Sequence, residues 1–218
     1  MAKNEITSQD LKKMLSFVAG RIEKEEAHLN SLDAAIGDGD HGITMRLGFQ
    51  AIRAKLNELD QVSMDMLLVE SGLAFMGATG GAIGVVLGKM LMAAGKSLKG
   101  KERMGSDEFK ILLCAMESSV SNSGKIKCGD KTILDALSSA CQVEYGPDPS
   151  LTETISAAAA AAESGARKTS HMVCRVGRAS RLGDRTLGHP DPGALSFSLI
   201  LHAMADWLHD SDQRTQSA

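Results

Sequence analysis

Apolar residues in this chain recur at the spacing of an α-helix, and the recurrence spans almost its whole length. Leu11, Met14, Leu15, Val18, Ala19 and Ile22 follow i, i+3, i+4, i+7, i+8 and i+11, one stripe down one helix face. Thr7 or Ser8 stands where an N-cap is wanted. Met45, Phe49, Ile52 and Leu56 carry a second stripe, and residues 63–76 are apolar and helix-compatible. Ile83, Val86, Leu87, Met90, Leu91 and Ala94 repeat the full pattern, with Gly95 read as its close. Ser106, Asp107 and Glu108 open a stripe of Phe109, Leu112, Leu113, Met116 and Val120. Ile133, Leu134, Leu137 and Cys141 give a shorter one. Thr152 to Lys168 holds an alanine run of strong helix formers, and Gly193 to Leu208 is apolar almost all round. These segments predict about eight helices and no alternating strand, hence an all-α fold. Aromatics are only 3% of the chain, with Met, Leu and Ala carrying the apolar load, which favours helices over sheets.

With 218 residues, 43% of them hydrophobic, there is material for one substantial core. A single domain over residues 1–210 is expected, followed by a polar, frayed tail at 211–218. Gly146-Pro147-Asp148-Pro149 reads as an interhelical loop rather than a linker. A net charge of -3 offers no general attraction to nucleic acid or to an anionic membrane. No charged-then-apolar leader and no uncharged apolar run near 20 residues is present, so neither export nor a membrane span is expected. Cys114, Cys128, Cys141 and Cys174 form no CxxC pair and read as reduced thiols of a cytoplasmic protein.

The chemistry concentrates in Leu32-Asp33-Ala34-Ala35-Ile36-Gly37-Asp38-Gly39-Asp40-His41-Gly42. A continuous helix would send Asp33, Asp38 and Asp40 to different faces, and glycines at 37, 39 and 42 disfavour such a helix. A bent backbone can turn all three carboxylates to one point. There they repel one another unless a cation sits among them, and oxygen-only ligands suit Mg2+ or Ca2+. The EF-hand pattern fails, since Gly42 stands at its third ligand position and no Glu ends the loop. The plain alternative is an acidic, glycine-rich surface turn.

Four further polar stretches interrupt the helices. Gly77-Ala78-Thr79-Gly80-Gly81-Ala82-Ile83-Gly84 leads into a helix and offers either free N–H groups for an anion or close helix packing through small residues. It is neither a Walker A nor a Rossmann loop, lacking the spacing and a preceding strand. Gly129-Asp130-Lys131-Thr132 is explained by a turn with Asp130 or Thr132 as N-cap. The arginines of Arg175-Val176-Gly177-Arg178-Ala179-Ser180-Arg181-Leu182-Gly183-Asp184-Arg185 could clamp phosphate, while a nucleic-acid patch would need aromatic support that is missing. In Gly188-His189-Pro190-Asp191-Pro192-Gly193, Asp191 suits an N-cap and Pro192 the first helical position. If these loops share one end of the assembly, they build a Mg2+–nucleotide site on a helical scaffold.

The runs LDAAIGDGDHG (32–42), GGAIG (80–84), GDKTILDAL (129–137) and GRASRLGDRTLGHPDPGALS (177–196) resemble the ADP-binding L subunit of dihydroxyacetone kinase, the same module as the C-terminal domain of the ATP-dependent enzymes. The resemblance runs in order over nearly the whole chain. It implies an antiparallel eight-helix barrel with the nucleotide at one end. It further implies that Asp33, Asp38 and Asp40 hold two Mg2+ ions, and that His41, Gly42, Ile43 and Thr44 approach the phosphates of ADP or ATP. Ala82, Ile83 and Gly84 would add backbone contacts, and Gly124 and Ile133 would line the adenine pocket. Arg178 would bind the phosphates and serve catalysis, with Asp191, Pro192 and Gly193 closing the site. The implied partners are a dihydroxyacetone-binding K subunit and a phosphoryl donor protein of the PEP-dependent phosphotransferase system. A transcription regulator and a second copy of the chain complete the list of expected partners.

This sequence departs from the family in carrying Ile83 where Ser is usual, Val85 where Pro is frequent and Cys128 where Pro is common, which removes a hydroxyl beside the phosphates but leaves the acidic residues intact. At 218 residues no room is expected for the substrate domain, so acid–base groups would lie on the partner and His171 and His189 read as structural. The rival readings are an ATP-exchanging subunit for another short ketose such as a tetrulose, a nucleotide-sensing module without catalysis, and a metal hydrolase using the acidic cluster with His41.

Overall fold

The computed structural model describes the backbone of residues 3–124 and 126–216, and the side chains of 3–122 and 126–213. The fold is all-α, as the periodicity predicts. In chain order the elements are β1 (Glu5–Thr7), α1 (Ser8–Lys24), α2 (Glu26–Ile36), α3 (His41–Glu58), α4 (Met64–Ala78), α5 (Gly81–Ser97), β2 (Arg103–Gly105), α6 (Ser106–Gly124), α7 (Ile133–Cys141), α8 (Leu151–Lys168) and α9 (Pro192–Gln216). Short 3-10 segments cover Thr169–His171 and Arg178–Thr186. No helix among the described residues is long and apolar enough to cross a membrane.

Three local features depart from the sequence expectation. Two strands are present, pairing antiparallel with Ile6 opposite Met104. At three residues each they are too short to show alternation, and they serve to bury Ile6 and Met104. A separate helix, α2, begins one residue after α1 ends, because the chain turns at Glu25. The last helix runs on through Gln216, past the Asp210 where the tail was expected to begin. Asp212 holds this extension down: its Oδ2 accepts from Lys3 N at 3.3 Å and from Thr152 Oγ1 at 3.3 Å.

The stripes read from the sequence become the core. Leu11, Met14, Val18 and Ile22 of α1 face Met45, Ile52 and Leu56 of α3, Phe109 and Leu113 of α6, and Ala158 and Ala162 of α8 within one cluster. Fully burying a Leu or Ile contributes roughly 1.5–3 kcal/mol. Helix neighbours follow a cycle: α1 packs on α3, α3 on α4, then α5, α6, α7, α8 and α9 in turn, and α9 packs back on α1. The stripes state which face of each helix is buried. The cycle decides where the helix ends meet.

Close approach of α4 and α5 depends on missing side chains. A Cβ on Gly72 would stand 2.5 Å from Gly88 O, and one on Gly95 would stand 2.6 Å from Asp65 O. Gly95 therefore lies inside α5 as a packing residue and does not close the helix, which continues to Ser97. Gly20 in α1 has nothing within 4 Å of its would-be Cβ. Gly95→Val is expected to destabilise the fold by about 1–3 kcal/mol through overpacking. Gly20→Ala is expected to stabilise it by about 0.5–1 kcal/mol through helix propensity. Urea midpoints of the two variants moving in the same direction would contradict this account.

Candidate functional site

Four helices begin around one cleft of about 680 Å3. His41 of α3, Gly81 of α5, Ile133 of α7 and Pro192 of α9 all line it, so every second helix of the cycle starts here. Each start carries roughly half a positive charge and unsatisfied N–H groups. The volume lies within the usual range of small-ligand clefts, about 300–1,000 Å3.

The four starts are not equivalent. Thr132 caps α7 in a reciprocal box with Asp135, and Asp191 caps α9, its Oδ2 accepting from Ala194 N at 2.7 Å. Thus Thr132, not Asp130, is the cap of α7; Asp130 Oδ2 instead accepts from Lys127 N at 2.8 Å. At α3 and α5 the N-cap residues are Asp40 and Gly80, and neither makes a side-chain capping bond. The donors opening α5, with those of His41 and Gly42 at α3, are the ones left for a ligand, since Ile43 N is taken by Asn30 Oδ1.

Within residues 41–44 the fold separates the roles. His41 and Thr44 line the cleft, whereas Gly42 packs under the Glu26 carbonyl of α2. Ile43 is exposed and its N–H donates to Asn30 Oδ1 at 3.1 Å. His41 is buried, with Nε2 at 3.2 Å from Ser196 Oγ. Burial holds its imidazole below the usual histidine pKa, against the opposing pull of Asp33. At α5, Gly80, Gly81, Ala82 and Ile83 reach the cleft, while Gly84 is buried against Thr79 behind it. Ile83, Val86, Ile126 and Ile133 are among the apolar residues of the wall. Gly124 ends α6, and its surroundings lie outside the described residues.

The acidic stretch bends as its glycines require. Asp33 sits in the last turn of α2, and Asp38 and Asp40 follow in the loop, where Gly39 takes a positive φ of 77°. The loop folds back over the helix end: Asp33 Oδ2 accepts from Gly39 N at 2.9 Å and from Asp40 N at 3.1 Å. One carboxylate oxygen from each of Asp33, Asp38 and Asp40 then lies within 4.8 Å of the others. An all-oxygen set of this kind fits a hard divalent cation that also takes ligands from water or a phosphate. The guanidinium of Arg178 pairs with Asp38.

The arginine-rich stretch does not deliver a multiple clamp. Residues Arg178–Thr186 form a 3-10 segment kinked at Gly183, and only Arg178 of its arginines lines the cleft. Arg175, Arg181 and Arg185 are exposed, as are His171 and His189. Asp191, Pro192 and Gly193 line the cleft. Asp191 as a residue is only half-buried, yet burial of its carboxyl pushes the pKa up to about 7, opposed by the Ala194 N–H and reinforced by Asp135.

Lys131, Cys174, Val176 and Gly177, to which the sequence pattern assigns no site role, also line the cleft. Cys174 is buried, with Sγ donating to Val176 O at 3.2 Å. Lys131 is fully buried and in a left-handed conformation, φ 63°. Burial lowers its pKa, while Asp191 raises it. A lysine following Gly-Asp at a helix start looks like an ordinary turn residue, so no signal in the sequence marked it.

Residues 35–206 match the model of the DAK2 domain. The chain is 37% identical over 199 residues to a PEP-dependent dihydroxyacetone kinase ADP-binding subunit, DhaL, of Listeria innocua, covering 89% of this chain and 92% of that one. It is 34% identical to the L-erythrulose 1-kinase of Mycolicibacterium smegmatis, covering 84% of this chain and 33% of the relative. Among solved structures, the dihydroxyacetone kinase from C. freundii in complex with AMP-PNP and Mg2+ superposes with a TM-score of 0.69 at 25% identity, over 94% of this chain and 35% of that one. The chain thus spans about a third of these two larger proteins. It belongs to the DAK2 domain family.

Asp191 is expected to make the ligand-free chain pH-sensitive. Its folded pKa of about 7 lies above the unfolded value near 4, so the folded state binds more protons between them. Stability is expected to fall as pH rises from about 4 to 7, with a slope of up to about 1.4 kcal/mol per pH unit from this group. Thermal melts in EDTA should show that slope, and Asp191→Asn should flatten it. An equal slope in the variant would remove Asp191 as its source.

Proposed function

We propose that this member of the DAK2 domain family is the nucleotide-binding subunit of a dihydroxyacetone-type kinase, holding ADP or ATP with Mg2+ in the cleft. One observation carries the reading: uncapped helix starts, three grouped carboxylates and Arg178 face a single cleft. It is supported by the similarity to an ADP-binding DhaL subunit and to a dihydroxyacetone kinase crystallised with AMP-PNP and Mg2+.

Each residue then has a task. Asp33, Asp38 and Asp40 hold the metal, expected as two Mg2+ ions, which when bound supplies charge neutralisation at the phosphate oxygens. The amides opening α5 at Ala82 and Ile83 bind the phosphate tail on one side, and the His41 amide with the Thr44 hydroxyl binds it on the other, since the Thr44 N–H is taken by Asp40 O. Because Ile83 has no hydroxyl, the α5 side contributes main-chain donors. Arg178 turns from Asp38 to the phosphates and balances charge that develops during transfer. Ile83, Val86, Ile126 and Ile133 keep water from the base. Asp191 holds the start of α9, and with it Pro192 and Gly193, at the rim.

The name of the Listeria relative, an ADP-binding subunit of a PEP-dependent dihydroxyacetone kinase, supports an acceptor ketose carried on a separate K-type subunit and recharging of bound ADP by a phosphotransferase protein. A second reading keeps the site but assigns another short ketose, favoured by the 34% identity to an L-erythrulose 1-kinase. Turnover in a mixture with a K-type subunit, comparing dihydroxyacetone with erythrulose and ATP with a phosphotransferase donor, separates the two.

Gently purified protein is expected to carry ADP by mass spectrometry. Asp38 is exposed and, among the described residues, its one ion pair is with Arg178, so Asp38→Ala should leave helical content unchanged. Its Mg2+-dependent ADP affinity should fall by about 100-fold or more. Unaltered tight binding by the variant, measured by calorimetry, would contradict the ligand assignment.

A further inference from the structure

Lys131 presents a buried ammonium group that, among the described residues, has no carboxylate at ion-pair distance; Asp191 acts on it only through space. The residue is 1% exposed, and its Nζ donates to Thr169 O at 2.9 Å, Met172 O at 3.2 Å, Thr186 O at 2.7 Å and His189 O at 2.5 Å. Among the described residues all of its hydrogen-bond partners are main-chain carbonyls. Four acceptors exceed the three donors of an ammonium, so at least one donor is shared. A cage of carbonyl oxygens around one positive charge is the ligand set that protein backbones offer to potassium.

The cage is made by one segment of the chain. Residues 169–191 are otherwise 3-10 turns and irregular backbone, and Arg175, Gly177, Arg178, Arg181, Arg185, Leu187 and His189 within them are exposed. Little apolar burial holds such a segment. Its shape comes from hydrogen bonds, and those at Lys131 gather its beginning and its end. The same segment brings Cys174, Gly177 and Arg178 to the cleft and runs directly into the Asp191 cap.

The protein also braces Lys131 in an unfavourable conformation. Its φ of 63° follows Gly129 at 89°. Asp135 secures the turn, accepting from Gly129 N at 2.5 Å and Thr132 N at 2.8 Å, and Arg175 N closes on Asp130 O at 3.2 Å. A left-handed backbone at a non-glycine residue persists where its surroundings over-determine it.

We propose that Lys131 is a positioning residue, a cation tethered by its own side chain in the place of a bound monovalent ion, which orders residues 169–191 and so sets Arg178 and the start of α9 at the cleft. The ordering itself is independent of what the cleft binds; its consequence for nucleotide rests on the function proposed above.

Lys131→Ala empties the cage and leaves room for a free ion. Hydrogen exchange of the ligand-free variant is measured in tetramethylammonium chloride and in potassium or ammonium chloride at equal ionic strength. In the bulky salt, amides of 172–189 are expected to exchange at least about tenfold faster than in the parent while α1 and α4 keep their protection. Potassium or ammonium should restore protection in the variant, and the parent should respond equally to all three salts. Mg2+-ADP affinity of the variant should fall and recover with the same salts. A purely structural loss of packing would not be repaired by a small cation and spared by a large one. Unchanged exchange in 172–189, or loss of protection that neither small cation reverses, overturns the proposal. If Lys131→Ala unfolds in every salt, Lys131→Met fills the space without charge. It should loosen 172–189 alone, and full protection of that segment would again overturn the idea. If the parent binds no ADP but the exchange pattern holds, the nucleotide reading falls and the tethered cation stands. If the variant binds ADP as tightly as the parent with its segment open, the positioning role is wrong.

Discussion

Four helix starts of the same polarity meet at one end of this molecule, and the rest of the site follows from that meeting. The helices pack in chain order around a cycle, so alternate members run in the same direction and α3, α5, α7 and α9 all begin at the cleft. Their partial positive charges add at that end. An end of this kind must be neutralised by caps, by water or by an anion. The N-cap residues of α7 and α9 close their helices with side-chain bonds, whereas those of α3 and α5 make none, and in the first turn of α3 the Ile43 N–H is taken by Asn30 Oδ1. Binding capacity is thereby confined to two of the four starts, adjacent to the acidic loop that runs into α3.

The capped starts have a different use: they hold the walls of the cleft. Asp135 serves both the α7 cap and the turn that presents Lys131, and Asp191 ties the long segment after α8 to the first turn of α9. A substitution at either aspartate therefore disturbs two things at once, a helix terminus and the loop attached to it. The first residues of the uncapped starts are held by packing instead, His41 against Ser196, Gly42 under the Glu26 carbonyl and Gly84 against Thr79. Gly80 and Gly81 have open space where a Cβ would stand, whereas Gly72, Gly88 and Gly95, further along the α4–α5 contact, do not.

Most of the helix pattern, the grouping of Asp33, Asp38 and Asp40, and the Asp191 cap were legible in the sequence. Each depends on local spacing: a stripe every three or four residues, glycines between carboxylates, an Asp-Pro before an apolar run. What escaped depends on contacts between distant segments. Gly95 looked like a stop signal because its role, contact with the Asp65 carbonyl of the neighbouring helix, has no trace along its own helix. Spacing alone does not rank the four arginines of 175–185, where only the family resemblance points to Arg178, and in the fold Arg178 alone among them lines the cleft. Gly42, Ile43 and Gly84 belong to the right loops, but packing turns them away from the cleft. Lys131 was invisible for the same reason, since its partners lie 38 to 58 residues further on.

The charges of the cleft make metal and polyphosphate interdependent under the proposed function. A nucleotide entering alone meets three carboxylates, against which two helix starts and one exposed arginine are a weak counterweight. A divalent cation entering alone must displace Arg178 from Asp38 and leave that guanidinium without its partner. Entering together, the cation satisfies the carboxylates and the phosphates take Arg178, so each ligand removes the penalty of the other. Linkage then requires the coupling to be reciprocal: whatever factor the metal adds to nucleotide affinity, nucleotide adds to metal affinity. The ion pair between Arg178 and Asp38 is the ligand-free side of that exchange.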